Sequence, residues 1–284
     1  MNKFKEQGMK IVFMVAACVS ILAVLLICLF LFASGIPAIG KIGPLEFLFG
    51  TEWRPSNDIY GIFPMIVASI YVTGGAILVG VPVALFTSVF MARYCPKKIY
   101  RPLKSGIELM AGVPSIVYGF FGLILMVPLI RQVFGGTGTS WLAASLLLAI
   151  MILPTIIGPT ESALRSVPES YYEGSLALGA TKERSIFFVI LPAAKSGILA
   201  AVVLGIGRAI GETMAVIMVA GNQARMPGSI LEGVRTMTAN IVIEMGYAEG
   251  LHREALIATG VVLFVFILII NLAFSIVKMR GERN

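Results

Sequence analysis

The sequence predicts an all-α integral membrane protein with six transmembrane helices and one exposed functional loop between the fourth and fifth. Three observations carry this. The 284 residues are 58% hydrophobic and only 13% charged, whereas soluble domains run nearer a quarter charged. Six apolar runs, at about 11–34, 62–92, 107–130, 141–164, 196–221 and 255–277, are long enough to cross roughly 30 Å of hydrocarbon. The 22 Lys and Arg residues divide unequally between the two sides: fifteen fall at the termini and in the 93–104 and 165–195 loops, six on the other side. That bias places both termini in the cytoplasm and accounts for the net charge of +7 without a nucleic-acid partner. Residues 1–61 then form one span and an external loop, and residues 62–278 a five-helix transmembrane domain.

The first apolar run exceeds the roughly 7–15 residues of a signal-peptide core, so it reads as an uncleaved span. After it, Gly35 to Ile42 (GIPAIGKI) nearly spells a phosphate-binding loop. Ile42 stands where a Ser or Thr would hold Mg²⁺, and the stretch follows a membrane helix rather than a strand, so no nucleotide site is expected in this chain. In the external loop, Trp53 and Tyr60 suit the outer membrane interface, as does Trp141 farther on. Gly74, Gly75 and Pro82 imply a tilt or kink in the second span.

The third span opens with Glu108 and contains Pro114 and Ser115. Pro114 removes a backbone donor at membrane depth, through either a simple kink or a broken helix lining a cavity. The fourth span ends with Glu161 and Arg165, spaced to pair across one turn. In the fifth, Arg208 sits at mid-span with Glu212 one turn outward, and it is the only Lys or Arg inside any span. A charge there costs roughly 2.5–3.5 kcal/mol even on the lenient insertion scale. Gly197, Ala201, Gly205, Arg208, Glu212 and Ala215 fall on one helical stripe, so a neighbouring helix can close around the pair. The pair reads either as a transport contact or as a register-fixing ion pair. Beyond the fifth span, Ser229 and Glu232 read as a capping box opening a short external helix that docks a partner, lids the pore or packs on the span ends. His252, the single histidine, reads as interfacial. Cys18, Cys28 and Cys95 have no paired spacing, which argues against a metal site or disulfide framework.

The loop at 166–192, SVPESYYEGSLALGATKERSIFFVILP, is the most restrictive stretch. Ser166 with Glu169 reads as a capping box, Gly179 as the left-handed residue that ends a first short helix, Thr181 as the cap of a second and Pro192 as its end. Its spacing resembles the EAA loop of permease subunits of binding-protein-dependent ABC importers: Glu173, Gly174 and Ser175, then Gly179, Val189, Leu191 and Pro192. Gly-Ser replaces Ala-Ala and Val replaces Ile. The resemblance implies a type I ABC importer permease fold in which this loop docks on an ATP-hydrolysing subunit. A surface-bound amphipathic helix is the alternative, but such helices are rich in Lys and Arg and this one has none before Gly179.

Other stretches resemble the PstC-type permeases of phosphate importers: Phe49-Gly50-Thr51-Glu52-Trp53-Arg54-Pro55, AGVPSIVYGFFG at 111–122, GRAIGETMAV at 207–216 and LHREALIATG at 251–260. That resemblance implies a second, PstA-like permease, two ATP-binding subunits holding ATP and Mg²⁺, and an extracellular or periplasmic phosphate-binding protein. It implies no enzymatic activity in this chain. Molybdate, sulfate and amino-acid permeases share the loop, so another oxyanion is the alternative cargo. A secondary anion transporter would show inverted repeats, and a membrane enzyme would show a clustered nucleophile and base. Neither is visible.

Overall fold

The computed structural model describes residues 3–283, with side chains at 6–273 and 275–276. Helix α1 (Lys3–Ile42) runs through Pro37 and is longer than its apolar run. The loop after it holds α2 (Pro44–Phe49) and a two-residue antiparallel pair, β1 (Trp53–Arg54) and β2 (Ile59–Tyr60). The second span, α3 (Phe63–Val89), passes Gly74, Gly75 and Pro82 as one helix and ends in a π-helical turn at Phe90–Tyr94.

Next comes α4 (Lys97–Gly112), which is amphipathic. Lys97, Lys98, Arg101 and Lys104 are exposed, while Tyr100, Leu103 and Ile107 pack on the core. The third span is α5 (Ser115–Phe121), a π turn at Gly122–Met126 and α6 (Val127–Phe134). The sequence places this span at 107–130, opening on Glu108; it lies instead at Ser115–Phe134, with Glu108 outside it on α4. Pro114 is the cause. It lacks an N–H and holds Val113 extended (φ −70°, ψ 126°), so the helix breaks there rather than kinking.

The fourth span is α7 (Trp141–Ser166), capped by the Ser140 hydroxyl on the Ala143 amide. The exposed loop carries α8 (Glu169–Ala177) and α9 (Lys182–Ser185), then a π turn at Ile186–Ile190 and α10 (Leu191–Ala193). After a 71° bend comes α11 (Lys195–Gly211). It is followed by α12 (Met214–Val219), α13 (Met237–Glu244) and α14 (Gly250–Arg283). Among the described residues, five helices can cross a membrane, and the bent pair ending in α11 makes the sixth.

The core sits between α3 and α7, with α11 and α12 against them, around Ala68, Val72, Leu147, Leu148, Ile152 and Ile156. Serines tie the two central helices without leaving bare polar groups: Ser145 donates to the Val72 carbonyl at 3.1 Å and Ser88 to that of Ile157 at 3.3 Å. Helix α1 packs its C-terminal half on α14 and exposes Val12, Phe13, Ile21 and Ile27, a surface suited to hydrocarbon.

The end of the molecule that holds the 43–62 and 222–249 loops departs from the sequence reading. Trp53 and Tyr60 are buried inside the protein rather than placed at the interface. Trp53 donates its indole N–H to Glu244 at 2.8 Å, His252 Nε2 lies 2.8 Å from the same oxygen, and Arg235 pairs with the other. His252 is therefore a half-buried structural residue, stacked on Tyr60, met edge-on by Trp53 and flanked by a tilted Tyr247. Burial pushes the Tyr60 phenol up to about 12, and its hydrogen bond to Asp58 adds to the shift. Ser229 and Glu232 close a turn instead of starting a helix: Glu232 accepts from the Gly228 amide at 3.0 Å. The helix in that loop, α13, is capped by Thr236.

Candidate functional site: two broken spans and a docking loop

Arg208 and Glu212 stand on opposite sides of a break in the fifth span. The expected continuous helix over 196–221 stops at Gly211; Glu212 is extended (φ −70°, ψ 133°) and α12 starts at Met214. The single stripe from Gly197 to Ala215 is therefore interrupted. The break also explains how two charges survive at this depth. Arg208 lies in the last turn of α11, where the carbonyl end of the helix favours a cation. The Glu212 carboxylate accepts from the amides of Thr213 (3.1 Å) and Ala215 (3.2 Å), satisfying donors at the start of α12. Each charge is answered by a helix end, and no ion pair joins them among the described residues.

Among the described residues the Arg208 guanidinium has one side-chain partner, the Thr155 hydroxyl, 3.4 Å from Nη1, and its buried Nε has none. The residue as a whole is half-buried, so the guanidinium keeps donors that no protein group uses. Thr155 escapes a sequence reading. It follows Pro154 in an otherwise apolar run, and its only signal is a hydroxyl inside a span.

Pro114 and Ser115 mark the second break. With no N–H at Pro114, the Met110 carbonyl is answered from farther along, by the Tyr118 hydroxyl at 2.8 Å. Non-helical backbone at the start of the span is thus satisfied within the protein. The start of the third span lies against the segment beyond the break in the fifth: a Cβ on Gly119 would come within 2.7 Å of Met218 Sδ and 3.1 Å of Ala215 Cα. So α5 and α12 touch because Gly119 has no side chain. Ser115 makes no hydrogen bond to Arg208 or Glu212 among the described residues, so the structure unites the two helices but not those side chains.

In the loop, Gly179 takes φ +86° and closes a Schellman turn: its amide donates to Leu176 and that of Ala180 to Ser175. Thr181 caps α9 through the Arg184 amide. Ser166 does not cap α8. Its hydroxyl bonds back to Ala163, and Glu169 is taken by Arg93 at 2.9 Å. Glu173 and Gly174 are exposed, as are Tyr171, Leu176 and Leu178, the last 91% so. A side chain on Gly174 would meet nothing. Ser175 and Leu191 are half-buried and Pro192 exposed, while Tyr172 turns inward. Glu161 and Arg165 pair at 2.7 Å, and the Tyr100 hydroxyl donates to the same Glu161 oxygen at 2.7 Å. Lys104 donates to that hydroxyl in turn, which raises the lysine's pKa.

Residues 80–280 match the family model of binding-protein-dependent transport system inner membrane components. The chain belongs to that family. It is a multi-pass transport permease with the type I importer fold. The permease is 40% identical over 273 residues to the probable ABC transporter permease protein YqgH of Bacillus subtilis, covering 90% of this chain and 87% of the relative. It is 34% identical over 260 residues to the phosphate transport system permease protein PstC of Xylella fastidiosa, covering 84% and 80%. Among solved structures, a bacterial alginate ABC transporter in complex with its pentasaccharide-bound periplasmic protein superposes with a TM-score of 0.69 at 15% identity, over 99% of this chain and 98% of that one. The inward-facing MetNI methionine transporter gives 0.63 at 20%, over 81% and 99%. At those identities the two structures speak for the fold alone.

Proposed function

We propose that the permease is the membrane subunit of an ATP-driven importer that carries inorganic phosphate across the cell membrane. One observation carries this reading: the Arg208 guanidinium sits at a broken span with its Nε buried and unpartnered. A planar fork binds phosphate oxygens two at a time, and a low-dielectric site strengthens the contact. Thr155 steadies Nη1, and Glu212, occupied by the amides of α12, does not neutralise the cation. The relatives named for phosphate transport support the choice of oxyanion. Pro114 and Ser115 belong to the same path, as the start of the second broken span.

The chain works in this reading beside a second, PstA-like permease, two ATP-binding subunits and an extracellular or periplasmic phosphate-binding protein. ATP and Mg²⁺ bind the partner ATPases, and hydrolysis happens there. Glu173, Gly174, Ser175 and Gly179 shape the docking face, and Leu191 and Pro192 the turn back into the membrane. Closure of the ATPases moves α8, and that motion alternates access to Arg208. Both termini are cytoplasmic, on the side of α8.

Labelled phosphate uptake in vesicles holding the complete importer tests the cargo. Excess unlabelled phosphate is expected to suppress the signal while sulfate and molybdate leave it intact. Suppression by sulfate or molybdate at equal concentration would reassign the cargo.

A further inference from the structure

The two broken spans reach the docking loop by different routes. Helix α11 continues from α8 through the chain itself. Helices α4 and α5 do not, and side chains must connect them. Both helices of the loop grip the two residues just ahead of α4. Helix α8 holds Arg93: Glu169 accepts from its Nη1 at 2.9 Å and the Tyr172 ring lies 5.7 Å from the guanidinium. Helix α9 holds the next residue, with Lys182 Nζ 4.3 Å from the centre of the Tyr94 ring. Arg93 also donates to the Leu164 carbonyl at 3.3 Å, and only 12% of its side chain is exposed. Two residues later Pro96 sits at the N-cap of α4, which runs through Pro102 as one helix to the Pro114 break.

We infer that Arg93 is a positioning residue for coupling, the relay through which α8 moves α4 and α5 in step with α11 and α12. The inference rests on reading α8 as the ATPase-docking helix. Without Arg93, ATPase motion reaches α4 and α5 only through Lys182 on Tyr94 and through the Glu161–Tyr100 bond from α7, so the groups around Arg208 fall out of register and ATP is hydrolysed with little transport. A bare structural brace would act differently: its loss lowers the yield of folded permease and leaves the work done per ATP unchanged.

The test is the number of labelled phosphate ions moved per ATP hydrolysed by the complete importer in proteoliposomes. Arg93→Gln is expected to lower that ratio about tenfold, a typical coupling free energy, with the complex recovered in normal yield. Exchanging the charges, Arg93→Glu with Glu169→Arg, restores most of it, and Arg93→Lys falls between. An unchanged ratio in Arg93→Gln, with or without a fall in yield, overturns the inference. So does a charge-exchanged variant that assembles but stays uncoupled. Leu178→Asp, on the exposed face of α8, separates the two readings. If it leaves recovery of the ATPase with the permease intact, the docking role of α8 fails. If it abolishes recovery while Arg93→Gln stays fully coupled, only the relay fails.

Discussion

Arg208 and Glu212 are four residues apart, close enough to pair on an unbroken helix, yet the structure gives each a helix end instead. Arg208→Lys separates a substrate contact from a helix-end charge. Lysine keeps the cation at the α11 terminus but loses the planar fork. Losing one charge-assisted bond of about 1.5–3 kcal/mol lowers phosphate uptake at least about tenfold. Membrane abundance stays normal; near-normal uptake removes Arg208 from the path. Glu212→Gln keeps an acceptor oxygen for the Thr213 and Ala215 amides and is expected to assemble normally, whereas Glu212→Leu bares them and costs about 0.5–2 kcal/mol of stability, read as a lower melting temperature. Arg208 was legible as a site because an ionisable residue in an apolar run is conspicuous. Its surroundings were not. The stripe assumed continuous helix, and Gly211, Glu212 and Thr213 contain no proline to announce a break. Thr155 and Arg93 owe their roles to partners 53 and 76 residues away, which no local pattern encodes.

At the scale of elements, the loop was the most legible part because its signals are local. Gly179 takes the left-handed turn and Thr181 the cap expected of them. Where a tertiary partner competes, the local signal fails: Glu169 abandons the Ser166 box for Arg93, and Ser229 with Glu232 folds a turn. Pro114 was legible as an interruption, and the break it makes moves the third span toward its C-terminal end. Gly179→Val tests the docking loop. A β-branched residue at φ +86° is strained by about 1–3 kcal/mol, so the Schellman turn opens and the docking face is lost. ATP hydrolysis is expected to continue with little uptake while the permease stays in the membrane. Coupled uptake at the wild-type rate would contradict that role.

For the molecule as a whole, six spans were countable from apolar length, because the bilayer fixes how long a crossing helix must be. The outer cap was not countable. Trp53 looks interfacial by residue type, and only the distant Glu244 shows that it is buried. Topology is tested by a cytoplasm-dependent reporter fused after Asn284. Fifteen cations on one side against six predict an active reporter, and a silent one, with an externally active reporter working instead, would reverse the orientation. In the proposed function, transport is driven by ATP on a partner rather than by an ion gradient. The most direct measurement is labelled phosphate uptake into vesicles that hold the complete importer, with binding protein outside and ATP enclosed. Uptake is expected to require the enclosed ATP, to stop when a non-hydrolysable analogue replaces it and to survive collapse of the proton gradient. Phosphate accumulation driven by a proton or sodium gradient with no ATP enclosed would contradict the account and mark the protein as a secondary anion transporter.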